Sequence, residues 1–220
     1  MVSEIFAISA AWSRAVIEFA AGLDPWMQSA AELGTDLFLG VFALLFLMAW
    51  WKARSVDSRR VGLALFAPVA TVIAYCANVT IKSFFQQMRP CQAMTDLSVI
   101  ATCDPIGDWS FPSNHSAIAG AAAAAVIVAW RRFAVAAALF AFLEAFSRVF
   151  VGAHYPHDVT VGLLVGAIVA TLVCLLAARP MTFVVDRLVE IDLLRPLLRA
   201  ESPPSGREQE AGRQHTHAER

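Results

Sequence analysis

Three short polar groups carry the residues with the most chemistry to offer. The first joins Lys82 to Arg89-Pro90, the second is Pro112-Ser113-Asn114-His115, and the third runs from Ser147-Arg148 to His154 and Asp158. Each stands where a long apolar stretch begins or ends. Ionisable side chains beside a bilayer are costly and are usually kept for function. These types suit the cleavage of a phosphate ester. That reaction needs fixed positive charge for the non-bridging oxygens, a nucleophile that reaches phosphorus and an acid for the departing oxygen. Arginine holds two phosphate oxygens in a planar fork and keeps its charge. Lys82, Arg89 and Arg148 together can therefore balance a dianionic phosphoryl group.

Spacing adds detail. Lys82 and Arg89 are two helical turns apart and share a face if a helix continues that far. Pro112 and Ser113 precede an Ala-rich segment, which places Ser113 as a helix cap with free backbone N–H groups aimed at an anion. His154 and Asp158 fit one helical face or, because Pro156 lies between them, a turn entering a helix. A carboxylate beside one imidazole nitrogen fixes the tautomer and leaves the other free to attack. Taken singly, each group has a plainer explanation. Lys82 and Arg89 could be cations snorkelling at an interface, and Ser113 only a cap. His115, His154, His157 and Asp158 could form a metal cluster. The combination of complementary roles outweighs these readings.

The elements that must position these residues belong to a membrane protein. Hydrophobic residues make up 58% of the 220 and charged residues only 16%, against about 25% charged in soluble domains. This points to one polytopic domain, and no basic patch with interleaved aromatics suggests nucleic acid. Stretches near 33–51, 61–84, 113–130, 133–151 and 159–178 are long enough, or nearly so, to span a bilayer. The fold expected is an all-α membrane helix bundle of five to six transmembrane helices. Before it, residues 1–32 hold Ile5, Ile8, Trp12, Val16 and Phe19 at helical spacing, interrupted by Glu4, Arg14 and Glu18. That pattern predicts an amphipathic interfacial helix in preference to a span or a cleaved signal. The membrane domain covers 33–180, an interfacial helix 181–199 and a disordered, charged tail 200–220, with His215 and His217 solvated.

Lys52, Arg54, Arg59 and Arg60, then Arg131 and Arg132, then Arg179 and Arg187 fall on one side of a five-span chain. Positive charge marks the cytoplasm, so the C-terminus is expected there and the three polar groups on the outer face. Cys76 and Cys174 lie inside apolar runs and read as core. Cys91 and Cys103 share a polar loop, where a disulfide requires an oxidising compartment.

The three groups, in this order and at these spacings, resemble the three-part signature of the type 2 phosphatidic acid phosphatase superfamily, over about residues 33–178. The resemblance implies that His154 attacks phosphorus to form a phosphohistidine, with Asp158 orienting and polarising it. It implies that His115 protonates the leaving group and later activates water. Lys82, Arg89, Ser113, Asn114 through its backbone, and Arg148 would hold the phosphoryl oxygens without a metal or other cofactor. Asn114 stands where glycine is usual in the family. Ser110-Phe111-Pro112-Ser113 and the run Val151-Gly152-Ala153-His154-Tyr155-Pro156 are most similar to bacterial undecaprenyl-diphosphate phosphatases of the bacitracin-resistance type. This implies a polyprenyl diphosphate substrate at the outer face of the cytoplasmic membrane. Phosphatidate, phosphatidylglycerophosphate or another polyprenyl phosphate is the alternative. The expected partners are thus a lipid phosphate and the bilayer, and oligomeric state is left open. A rival from another class, a transporter or channel using the charges as a relay, predicts flux with no phosphate release.

Overall fold

The computed structural model describes residues 2–200; the tail at 201–220, expected to be disordered, lies outside the described residues with His215 and His217. Among the described residues all regular structure is helical. Helices α1 (Val2–Ala21), α2 (Pro25–Ala53) and α3 (Ser58–Lys82) are followed by a long connection holding the single turn α4 (Pro90–Ala93). Then come α5 (Asn114–Ala129), a 3₁₀ turn at Arg131–Phe133, α6 (Ala134–Phe150), α7 (Pro156–Leu188) and the short α8 (Arg195–Leu198). Local sequence sets the starts. Prolines occupy the first turns of α2 and α7, where a missing N–H costs nothing. The Asp57 carboxylate accepts from the Arg60 N–H to cap α3.

Helices α2, α3 and α7 and the segment Arg131–Phe150 are each long and apolar enough to cross a membrane. The protein is membrane-embedded and multi-pass. Large apolar side chains face outward on all four, among them Leu44, Val72, Phe142 and Leu172, as a lipid-facing surface requires. Helix α5 presents no such residue; it is the central helix, packed on α7, α3, α6 and α2. Alanine and glycine make that possible, since small residues let membrane helices approach closely. A methyl group added to Gly162 or Gly166 on α7 would overlap the backbone carbonyls of Ser113 and Ala117 on α5.

One sequence expectation needs correction. No separate helix covers 181–199. Helix α7 continues through Pro180 to Leu188, and Met181 packs directly on the backbone at Gly62 of α3. That support holds the helix across the hydrogen bond that proline removes. Beyond it the chain folds back on α2, where Trp50 Nε1 donates to the Leu197 carbonyl and Arg54 to that of Pro196. Helix α1 turns Ile5, Ile8, Trp12 and Phe19 away from the bundle, and it is Ser9, Ser13, Ile17 and Ala20 that are buried. The apolar stripe is thus offered to the membrane, while a small-residue stripe docks on α6 and α7.

Candidate active site

The chain leaves α6 through Gly152, which has a left-handed φ of 81° and packs under Val99. Only glycine adopts that turn without strain. The reversal directs the N–H groups of both Ala153 and His154 to the Arg148 carbonyl, at 3.0 and 3.2 Å, so His154 is fixed relative to Arg148. One turn into α7, the buried Asp158 carboxylate folds back. Its Oδ2 accepts from the Tyr155 N–H at 2.9 Å and from the Ser110 hydroxyl. It also lies 3.6 Å from His154 Nδ1, and Ser110 Oγ lies 3.4 Å from the same nitrogen. The other imidazole nitrogen, Nε2, is 3.0 Å from an Arg89 guanidinium nitrogen. The two nitrogens are therefore differentiated: Nδ1 faces carboxylate and hydroxyl, and Nε2 faces positive charge. Burial pushes the His154 imidazole down to about 4; Asp158 opposes this and Arg89 adds to it. At neutral pH it is uncharged, and the Nε2 lone pair faces the Arg89 guanidinium.

The cations come from the segment after α3. Lys82 and Arg89 would share a helical face only if α3 continued past Lys82; it ends there, and Arg89 is the residue preceding α4. The two are drawn together by Asp108. Lys82 Nζ lies 2.6 Å from Asp108 Oδ1, and Arg89 lies 3.0 Å from both Asp108 and Asp104. Arg89 also donates through Nε to the Asp108 carbonyl at 2.9 Å and through its other arm to the Ala153 carbonyl at 3.3 Å. Burial works against ionisation of Asp108, yet Lys82 and Arg89 hold its carboxyl below the usual range. Arg148 Nε has no hydrogen-bond partner. The loop carrying the aspartates is closed by a disulfide between Cys91 and Cys103, whose Cα atoms are 5.9 Å apart.

The third wall is the start of α5. Ser113 Oγ caps the helix by accepting from Ser116, and the Ser113 N–H donates to the Asp158 carbonyl at 3.1 Å. This bond ties α5 to α7. Asn114 Oδ1 accepts from Asn78 Nδ2 of α3 at 2.9 Å. His115 is about one-third exposed, with Nε2 3.9 Å from Asp36 Oδ1 of α2, and it feels the charges of Arg148, His154, Arg89 and Lys82. All eight residues singled out from sequence thus converge at one end of the bundle. The Arg89 guanidinium meets Nε2 of His154, Arg148 adds its charge to the imidazole's surroundings, and a second imidazole stands on the more open side. This arrangement can hold a phosphoryl group, attack it and protonate what leaves.

The structure gives further residues a place at the site, among them His157, which the sequence offers only as a metal-cluster candidate. Ser110 lies two residues before Pro112, and no local spacing marks it for a role. Asn78 is a polar residue in an apolar run, one turn before Lys82, and that spacing could have flagged it. His157 contacts Ser9 Oγ at 2.7 Å and Gln87 at 2.9 Å, and approaches Asp158 Oδ1 to 2.9 Å outside hydrogen-bonding alignment. Glu144 is buried one turn before Arg148, and neither carboxylate oxygen has a partner.

The sequence profile of the PAP2 superfamily matches residues 62–181, more than half of the chain. This chain belongs to the PAP2 superfamily. It is 30% identical over 138 residues to undecaprenyl-diphosphatase BcrC of Bacillus subtilis strain 168, covering 63% of this chain and 68% of that one. It is 44% identical to a lipid A 1-phosphatase of Rhizobium johnstonii, but over only 70 residues, 32% of this chain and 29% of that one. Among solved structures it resembles a transmembrane PAP2 type phosphatidylglycerolphosphate phosphatase from Bacillus subtilis. That match has a TM-score of 0.57 and 19% identity and covers 77% of this chain and 84% of that one. At such identity the likeness speaks to the fold. The PAP2 protein described here is a membrane lipid phosphatase.

Proposed function

We propose that this PAP2 phosphatase removes the terminal phosphate of a polyprenyl diphosphate, with undecaprenyl diphosphate as the first-choice substrate. The observation that carries the chemistry is the orientation of His154, with Nε2 toward Arg89 and Nδ1 toward Asp158 and Ser110. Nε2 attacks the terminal phosphorus while the bond to the bridging oxygen breaks on the opposite side. His115 gives its proton to that oxygen, and the lipid monophosphate departs. The phosphoryl group is left on Nε2, held by Arg89, Lys82, Arg148 and the N–H groups at the start of α5. His115 then takes a proton from water, the new P–O bond forms as the N–P bond breaks, and inorganic phosphate leaves. Side-chain cations supply the positive charge throughout.

The substrate choice is supported by the relative named for undecaprenyl diphosphate, which aligns over two thirds of its own length. The basic connections Lys52–Arg60 and Arg131–Arg132 lie at the bundle end remote from His154. By the charge rule this supports a cytoplasmic side at that end and a site on the outer face. Phosphate release from purified protein, compared across undecaprenyl diphosphate, its monophosphate, phosphatidate and phosphatidylglycerophosphate, tests the reading. The diphosphate should show the highest kcat/KM, unchanged by a chelator. A higher value for any other lipid overturns the substrate, and a chelator-sensitive rate overturns the metal-free mechanism.

A further inference from the structure

The two cations best placed to grip a phosphoryl group already carry carboxylates. Asp108 bridges Lys82 at 2.6 Å and Arg89 at 3.0 Å, and Asp104 meets Arg89 at 3.0 Å. We propose that Asp108, assisted by Asp104, is a built-in counter-anion that occupies the phosphoryl subsite and is displaced when substrate binds. The inference rests on the assignment of Lys82 and Arg89 to the phosphoryl oxygens.

Three features distinguish a displaceable counter-anion from a permanent structural pair. The first is asymmetry of burial. Lys82 and Arg89 are 8% and 4% exposed, whereas Asp108 and Asp104 are 44% and 43% exposed. The cations form the floor and the carboxylates the lid, so the carboxylates can leave into solvent and the cations cannot. The second is charge. Two carboxylates oppose two cations, and a phosphoryl dianion brings the same two negative charges, so exchange preserves the balance that buried cations require. The third is the way the segment is held. At one end Cys103 is bonded to Cys91, and Gln92 donates to the Asp104 carbonyl. At the other, the Ser110 N–H donates to the Gln87 carbonyl and its hydroxyl to Asp158. Between these anchors Pro105, Ile106 and Gly107 are exposed, and the Arg89–Asp108 backbone bond is the main tie to be broken.

A counter-anion of this kind raises the apparent dissociation constant of any phosphate ligand by the inverse of the fraction of time it is displaced. It also shields the cations from smaller anions. The opposite role, a carboxylate that positions Lys82 and Arg89 for substrate, predicts that removing its charge weakens phosphate binding.

Calorimetric titration of the full-length protein with inorganic phosphate separates the two. Asp108→Asn should bind phosphate about tenfold more tightly than the parent, as for a subsite open about one-tenth of the time, and Asp104→Asn should tighten it by a smaller factor. Equal or weaker binding by Asp108→Asn overturns the proposal. Arg89→Ala is the control for the underlying site: if phosphate affinity survives it, the phosphate assignment itself fails. Hydrogen exchange across 104–109 in the parent protein gives an independent readout that needs no variant. Saturating phosphate should speed exchange there, and unchanged or slower exchange overturns the displacement.

Discussion

Asn78 Nδ2 donates to Asn114 Oδ1 at 2.9 Å. This bond joins the helix that ends in Lys82 to the first turn of the helix that carries His115. It also gives the Asn114 side chain its place: the amide is turned onto α3. Asn78→Ala should leave the half-buried Asn114 amide without this partner, at about 1 kcal/mol for the lost hydrogen bond, and lower kcat several-fold. Asn114→Gly in that background should recover part of the loss. A double-mutant cycle on kcat and unfolding temperature measures the coupling, expected at about 1 kcal/mol.

His154→Ala should reduce phosphate release by about three orders of magnitude or more, with the fold intact. Brief mixing of the parent enzyme with labelled diphosphate, followed by quenching in base, should trap an acid-labile phosphoenzyme that His154→Ala lacks. His115→Ala should accumulate the phosphoenzyme when the substrate has a good leaving group, because its breakdown still needs a base. Full activity in purified His154→Ala would sink the mechanism.

Ser110 is expected to act by orientation. Its hydroxyl donates to Asp158 Oδ2 and lies close to His154 Nδ1. Ser110→Ala should lower kcat roughly tenfold with KM nearly unchanged, as for partners that orient a reacting group. Asp158→Asn should cost more, on the order of 10³–10⁴ in kcat, because the tautomer is lost as well. Steady-state kinetics on both variants check the order.

The pH profile follows from burial of His154, whose imidazole sits near 4 instead of 6.5. The nucleophile stays neutral down to that range, so the acid limb that its protonation imposes on phosphoenzyme formation should lie near 4. An acid limb at 6.5 would contradict the burial argument. The sign for stability is the same. The unfolded chain takes up this proton near 6.5 and the folded chain only near 4, so this contribution is whole above 6.5 and lost as pH falls through 4. Thermal unfolding in detergent between these pH values checks it.

Gly166→Ala tests the packing that places the site. The added methyl meets the Ala117 carbonyl, and overpacking of this kind costs about 1–3 kcal/mol. The unfolding temperature should drop, and kcat should fall because α5 and α7 carry His115 and Asp158.

Much of the site could be read from the sequence because each residue sits beside a strong local signal. Pro112 and Pro156 mark helix starts, and the ends of apolar runs locate Lys82 and Arg148. What could not be read depends on chain folding between those signals. No periodicity announces that the loop after Cys91 returns Asp108 to Lys82, and proline statistics argue against a helix continuing through Pro180. The stripe of α1 was legible: its spacing predicts an amphipathic helix, and the structure turns that apolar face outward.

Helix α5 has sixteen residues, about 24 Å of rise, against a hydrocarbon layer of about 30 Å. With its far end at the basic connection, its near end stops short of the opposite membrane surface. The helix is then a depth gauge: it sets the catalytic floor below the level of the headgroup phosphates, so a lipid phosphate must dip toward the hydrocarbon edge to reach it. A lipid can be dephosphorylated while its chains stay in the leaflet, and a soluble phosphate ester must come down to meet the enzyme.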